Sequence, residues 1–181
     1  MSELALVLID VQKGIDDPRM GTRNNPAAEE NIAAVLALWR ERKLPIVHVQ
    51  HSSTEPQSPL RPDSPGHDFK SVAVPAGDEP VFEKTVNSAF IGTGLESWLR
   101  ERKINKLLVV GLTTEHCVST SVRMADNLGF NVTLVGDATA SHGHTGADGG
   151  AIKADDVYRI NLASLHGEFC TVVTTQSILD S

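Results

Sequence analysis

The sequence predicts a three-layer α/β/α fold, built on a mostly parallel sheet of about six strands. Short apolar runs alternate with longer segments of helical periodicity, which is typical of a parallel sheet with helices on both faces. The apolar runs are continuous rather than alternating, as expected for strands that are buried on both faces. A length of 181 residues fits one domain. We therefore expect a single Rossmann-like domain over residues 1–181.

Individual elements follow from these patterns. Strand-length apolar runs cover residues 4–9, 46–49, 107–110, 132–135 and 170–173. Helical periodicity covers residues 26–42, 94–102, 115–128 and 155–166. In a parallel sheet, ligands bind at the carboxyl ends of the strands, near the point where the strand order reverses. Residues that do chemistry should therefore follow the apolar runs.

Two polar segments are predicted to be loops. Residues 52–80 are rich in Pro, Ser, Asp and Gly, and long ordered loops of this kind often cover active sites. Residues 141–150, SHGHTGADGG, form the second loop. We interpret His142 and His144 as loop residues rather than metal ligands.

Composition limits the classes of partner. The formal net charge is -7, which argues against nucleic acid and anionic membranes because both call for a basic patch. No apolar run reaches the ~18–20 residues that cross a bilayer, and no charged, apolar leader opens the sequence. Two cysteines do not make a disulfide framework. We expect a cytoplasmic protein that acts on a small molecule.

Asp10 ends the first apolar run, in LVLIDVQ. A carboxylate at the carboxyl end of a central strand is poorly explained by packing, so Asp10 is a candidate for chemistry. A cap or turn role is the alternative interpretation.

Cys117 follows another strand-like run, in VVGLTTEHCV, and helical sequence comes after it. This position predicts a thiol within the first turn of a helix, where unpaired N–H groups and the helix dipole favour negative charge. We therefore expect the pKa of Cys117 to lie below the ~8.5 of a free cysteine. The same N–H groups suit an oxyanion. A small buried hydrophobe is the alternative.

Lys84 lies in VFEKTVNSAF, where the long loop ends. Apolar neighbours indicate partial desolvation, which lowers the pKa of a lysine, while a nearby carboxylate or thiolate raises it. By itself, such a lysine is usually a solvated surface residue. Asp10, Lys84 and Cys117 all fall at strand ends of one sheet, so we expect them to converge.

Four motifs occur in order along nearly the whole chain: LIDVQ, EKTVNSAF, VVGLTTEHCV and NVTLVGDATA. Together they resemble the isochorismatase-like cysteine hydrolases, a superfamily that includes nicotinamidase, N-carbamoylsarcosine amidohydrolase and ureidoacrylate hydrolase. Any one motif alone would be a weak signal, and their joint occurrence is specific. The resemblance implies cofactor-free hydrolysis of a C–N bond in a small amide, carbamoyl or ureido compound.

By that resemblance, Asp10, Lys84 and Cys117 form the catalytic triad. Asp10 would take the thiol proton, Lys84 would hold the pair electrostatically, and Cys117 would attack a carbonyl to form an acyl-enzyme. The resemblance also implies a cis peptide between Leu112 and Thr113. The N–H groups of Thr113 and Cys117 would then form the oxyanion hole.

Candidate substrate contacts lie near these motifs: Gln12, Ile15, His51, Phe90, Glu115 and His116. Family members often have an aromatic residue shortly after the first Asp-x-Gln, where this chain has Gly14 and Ile15. That end of the pocket is therefore expected to be wider. His116 is not expected to be the base, because adjacent helical residues do not face each other.

A metal site is not predicted. Nicotinamidases resemble one another in an Asp/His/His site after the second strand, where this chain has His48 and His51. On a strand, this spacing places the two imidazoles on opposite faces. The nearby Asp63, His67 and Asp68 match no metal template. We expect His48 to pack beside the sheet and His51 to line the pocket mouth.

Other functions stay open at this point: a metal-assisted amidase of the nicotinamidase type, or a non-catalytic scaffold or binding protein. Superfamily members that cleave a vinyl ether by acid catalysis lack the cysteine, so Cys117 argues against that reaction. A redox thiol needs a resolving cysteine, and Cys170 is expected to be an inert core thiol. The resemblance also implies a homo-oligomer, either a dimer or a tetramer.

Overall fold

The computed structural model describes residues 4–181 and contains a six-stranded sheet with only parallel pairings. Its strands are β1 (Leu4–Ile9), β2 (Ile46–His51), β3 (Val81–Lys84), β4 (Lys106–Leu112), β5 (Asn131–Ala140) and β8 (Thr171–Val173). A separate antiparallel pair consists of β6 (His144–Thr145) and β7 (Ala151–Ile152). The order β3-β2-β1-β4-β5-β8 confirms the predicted parallel α/β architecture.

Helices cover both faces of the sheet. They are α1 (Ala28–Arg42), α2 (Leu95–Glu101), α3 (Ser119–Asn127), α4 (Ala154–Leu165) and α5 (Thr175–Leu179). Helices α1 and α5 pack on one face of the sheet, and α2, α3 and α4 pack on the other. Each face has one apolar cluster that joins its helices to the sheet. This confirms the three layers. Within residues 4–181, no helix has the length and apolar character that crossing a membrane requires.

Four of these helices and strands were not predicted from the sequence: β3, α5 and the two-residue strands β6 and β7, of which β6 lies within the predicted 141–150 loop. Strand β3 is an edge strand on which mostly exposed residues precede the buried Lys84, so it has no continuous apolar run. Helix α5 has five residues, too few to show a helical period. Strand β5 also runs beyond the predicted 132–135, because its Thr139 and Ala140 pair with Gly111 and Leu112 after a register shift.

The strand order reverses between β1 and β4, which are hydrogen-bonded neighbours. In this order, the carboxyl ends of β1 and β4 border the crevice where ligands bind in such sheets. Gly111 lies at this point with a φ of 133°, and a Cβ on it would lie 2.1 Å from the Ile9 carbonyl oxygen. The close approach of the two strands therefore requires glycine at position 111.

We expect Gly111→Ala to lower the free energy of unfolding by more than about 3 kcal/mol or to prevent folding, because backbone must move to accommodate the methyl group. Gly94→Ala is the matched control, since a Cβ at position 94 would make an ordinary 3.5 Å contact with Phe82. Urea unfolding of both variants measures the difference. Equal stabilities would contradict the assigned constraint.

Candidate active site

The strand register brings Asp10, His51 and Lys84 together at the carboxyl ends of the strands. His51 and Lys84 are paired across β2 and β3, at the last residues of both strands. Asp10 follows β1 directly, and its N–H donates to the Val49 carbonyl at 3.0 Å. These side chains therefore lie at the carboxyl ends of three adjacent strands. The turn after β4 adds Cys117 beside them.

Lys84 is the centre of this group, and its side chain has 0% exposure. Its Nζ donates to Asp10 Oδ2 at 2.7 Å, to His51 Nδ1 at 2.9 Å and to Cys117 Sγ at 3.2 Å. An ammonium has three donors, so all of them are used. A buried cation is tolerated when paired and fully hydrogen-bonded, and these acceptors supply both conditions.

Asp10 presents one oxygen to Lys84 and leaves the other available. Its backbone is in the left-handed region, with a φ of 49°, which Asp adopts more readily than most residues. Within the described part of the chain, Oδ1 is buried and has no hydrogen-bond partner. One of the carboxylate oxygens lies within 4.8 Å of Cys117 Sγ. Burial raises the pKa of Asp10, although the charge of Lys84 opposes the shift.

Cys117 does not lie in the first turn of a regular α-helix. Residues Thr114–Val118 form a π-helical turn, in which the Thr113 carbonyl accepts from the Val118 N–H at 3.2 Å, and α3 begins only at Ser119. The peptide bond between Leu112 and Thr113 is cis. The turn places the thiol against Lys84.

The expectation of a lowered pKa for Cys117 is wrong. Burial raises the pKa of this thiol far above its ordinary value, and the negative charge of Asp10 adds to the effect. Lys84 lowers the pKa of Cys117 but does not compensate. A helix start is visible in the local sequence, whereas desolvation, which dominates here, depends on how the whole chain packs.

We therefore expect iodoacetamide to alkylate Cys117 of the ligand-free protein slowly, at a rate that still increases above pH 9. Mass spectrometry in a Cys170→Ala background measures this rate without a contribution from the other cysteine. A plateau at or below pH 8 would show that the thiolate forms readily and would contradict the assigned direction.

The His51 ring accepts a hydrogen bond from Lys84, and the His51 backbone is hydrogen-bonded to the Gln12 side chain. The Gln12 side chain donates to the His51 carbonyl at 3.1 Å and accepts from its N–H at 2.8 Å. Burial lowers the pKa of His51 to about 4, and the charge of Lys84 adds to the shift. A neutral imidazole at Nδ1 is therefore the acceptor that the ammonium requires.

The depressed pKa of His51 predicts a pH dependence of stability. Between pH 4 and the ~6.5 of an unfolded histidine, the unfolded state binds more protons, so stability rises with pH. This contribution is lost as pH falls. NMR should show His51 titrating near pH 4, and the rise in stability across this window should be smaller in His51→Gln. A midpoint near 6.5 would contradict the prediction.

His48 lies on the other side of β2, as its spacing predicts. It is buried, bonds to Glu79 Oε2 at 2.8 Å and contacts the edge of the Phe69 ring. Glu79 in turn accepts from Arg40. His48 and His51 therefore do not share a ligand, and His48 packs beside the sheet.

Three of the side chains predicted to contact substrate are packed against, or hydrogen-bonded to, other parts of the protein. Gln12 is fully buried and bonded as described, and its Nε2 also donates to the His67 carbonyl at 2.8 Å. Ile15 is buried in a small apolar cluster with Leu112. Phe90 is partly buried and stacks on Phe130 at a centroid distance of 5.8 Å. Direct contact of these side chains with a substrate stays a prediction.

Glu115 and His116 lie within the Thr114–Val118 turn, directly before Cys117. The Glu115 carboxylate accepts from the His142 N–H at 3.1 Å and lies 3.3 Å from His144 Nε2. The exposed His116 ring meets the His144 ring edge to face at 5.3 Å. Both residues therefore contact the 141–150 loop, which the sequence did not connect to this turn.

Sequence reasoning missed two further features of the site. Asn87 Oδ1 lies 3.9 Å from Cys117 Sγ, and its place in the lysine motif was a usable signal. Ser52 Oγ lies 2.8 Å from His67 Nε2 and donates to Glu83 at 3.1 Å. The first contact joins two parts of the 52–80 loop and the second ties the loop to β3, so the loop borders the site.

The fold and site together define a class of α/β proteins with an Asp–Lys–Cys group at the switch point of a parallel sheet. The family model of the isochorismatase domain matches residues 4–177. The chain therefore belongs to the isochorismatase family of hydrolases.

Individual relatives agree with this family. The chain is 44% identical to the uncharacterised isochorismatase family protein YrdC of Bacillus subtilis, covering 97% of this chain and 94% of that protein. A crystal structure of an isochorismatase-family protein from Chromobacterium violaceum has a TM-score of 0.94 at 45% identity, over 99% of this chain and 92% of that one. Escherichia coli nicotinamidase is 42% identical over 45 residues, which is 25% of this chain and 21% of that enzyme.

Proposed function

We propose that this protein hydrolyses a C–N bond of a small amide, carbamoyl or ureido compound through a covalent intermediate on Cys117. The observation that carries the proposal is the buried Lys84 ammonium, which contacts both Asp10 at 2.7 Å and Cys117 at 3.2 Å. One cation thus supports an acid–base group and a nucleophile at the same place.

The first half-reaction forms the intermediate. As Sγ of Cys117 attacks the carbonyl carbon, its proton passes to Asp10, whose Oδ1 has no other partner in residues 4–181. The N–H groups of Thr113 and Cys117 would receive the oxyanion. The C–N bond then breaks, and the leaving nitrogen takes the proton from Asp10. The raised pKa of Asp10 suits this transfer, because it makes the carboxylate a stronger base for the thiol proton.

The second half-reaction hydrolyses the intermediate and regenerates the free enzyme. Asp10 takes a proton from water as the water oxygen attacks the thioester carbon, and the C–S bond then breaks as Asp10 gives that proton to Cys117. Lys84 contacts both groups and offsets the negative charge that moves between carboxylate and sulfur. His51 accepts from the same ammonium and keeps it in position.

The competing functions have less support. A metal-assisted amidase of the nicotinamidase type would need ligands after β2, but His48 is directed to Glu79 rather than toward His51. A redox pair is disfavoured because Cys170 precedes β8 at its amino end, whereas Cys117 follows the carboxyl end of the parallel strand β4. The match to nicotinamidase is consistent with amide chemistry.

Activity on a panel of small amides, carbamoyl compounds and ureides tests the proposal. Cys117→Ala should lower kcat/KM at least about 1000-fold, because the nucleophile is removed. Asp10→Asn keeps the shape of the side chain and should lose about 100-fold or more, because the base is removed. Cys170→Ala is the matched control and should keep wild-type activity.

Intact mass after rapid mixing with a substrate should show an acyl adduct on the wild-type protein and none on Cys117→Ala. Amine release that survives Cys117→Ala would show that the assigned nucleophile is wrong. Failure of the whole panel with the wild-type protein would reject the proposed substrate class.

A further inference from the structure

We propose that Glu115, His116 and His144 form a binding site for one divalent transition metal ion, with Zn²⁺ as the best match. One ligand atom from each side chain lies within 4.8 Å of the other two. These residues come from two parts of the chain, the Thr114–Val118 turn and the segment that follows β5. The site is separate from the Asp–Lys–Cys group.

The Glu115 carboxylate supplies the observation that points to a cation. Its side chain is only 6% exposed. Oε1 accepts from the His142 N–H and lies 3.3 Å from His144 Nε2. Oε2 is buried and has no hydrogen-bond partner among residues 4–181. A desolvated carboxylate oxygen without a partner is costly, and a bound cation would remove that cost.

The donor set suits zinc. Two imidazole nitrogens and one carboxylate oxygen are ligands that Zn²⁺ takes at about 2.0–2.2 Å, with a fourth position left for water. The His116 ring is exposed and the His144 side chain is 38% exposed, so both can turn to converge on an ion. The His142 N–H donates a hydrogen bond to the Glu115 carboxylate, and carboxylates that bind metals commonly accept such a bond.

A second group, Asp10, His51 and Cys117, also has the right atoms within 4.8 Å. The Lys84 ammonium already occupies its centre, at 2.7 to 3.2 Å from all three. A metal ion there would face that cation at close range. The Glu115 group has no lysine or arginine bonded to it within the described residues, so it is the better site.

Calorimetric titration of Zn²⁺ into chelator-treated Cys117→Ala tests the proposal without the nucleophile as a ligand. We expect one equivalent to bind. Each ligand is removed in turn in the same background, by His116→Ala, His144→Ala or Glu115→Gln. Each change should weaken Zn²⁺ binding by more than about 100-fold, because loss of a residue that only hydrogen-bonds to a ligand already costs up to about that much. His166→Ala is the matched control, because this exposed histidine bonds to Val172 elsewhere on the molecule.

Co²⁺ gives a second readout on the wild-type protein. The proposed nitrogen and oxygen ligands predict visible d–d bands without a sulfur-to-cobalt charge-transfer band. Absence of stoichiometric Zn²⁺ binding, or binding that survives His144→Ala, would overturn the proposal. A charge-transfer band that disappears in Cys117→Ala would assign the metal to the other group. None of these measurements requires turnover, so they are independent of the proposed hydrolysis.

Discussion

The contact of one buried ammonium with three acceptors is the constraint on which the site depends. Lys84 enters from the edge strand β3, and its partners enter from β2, from the end of β1 and from the turn after β4. A shift of any one of these strands by one residue would remove an acceptor and leave a charge buried without compensation. The sheet register and the site therefore stabilise each other.

Desolvation sets the resting state of this site more than charge does. Burial raises the pKa of both Asp10 and Cys117, although Lys84 acts against both shifts. Proton transfer between the two groups then keeps the charge of the pair constant, whereas loss of the proton to solvent does not. A thiol that keeps its proton reacts slowly with oxidants and alkylating agents, because the thiolate is the reactive form.

Much of the fold follows from the sequence because the buried strands are continuous apolar runs and the helices carry a clear period. Asp10 was recognisable because it directly follows such a run, and Cys117 because it lies in the turn that comes after one. Other features depend on contacts between distant segments. The exposed strand β3 has no apolar signature, and the neutral His51 acts through Lys84, which becomes its neighbour only after β2 and β3 pair.

The pKa of Cys117 and the grouping of Glu115 with two histidines also depend on tertiary contacts that local sequence does not show. Local sequence around Cys117 indicated a helix start and thus a lowered pKa, but burial is a property of the packed molecule. His144 lies 29 positions from Glu115 along the chain, and only the loop after β5 brings the two together. Spacing rules for metal ligands address local motifs, so this group had no recognisable signature.

Strand β3 has four residues, pairs with β2 alone, and still carries the lysine of the site. Short edge strands belong to the parts of a protein that open locally at low free-energy cost. Opening of β3 would withdraw Lys84 while the central strands stay paired. Loss of the Asp–Lys–Cys group and global unfolding are therefore separate events, and the first needs only the edge of the sheet to open.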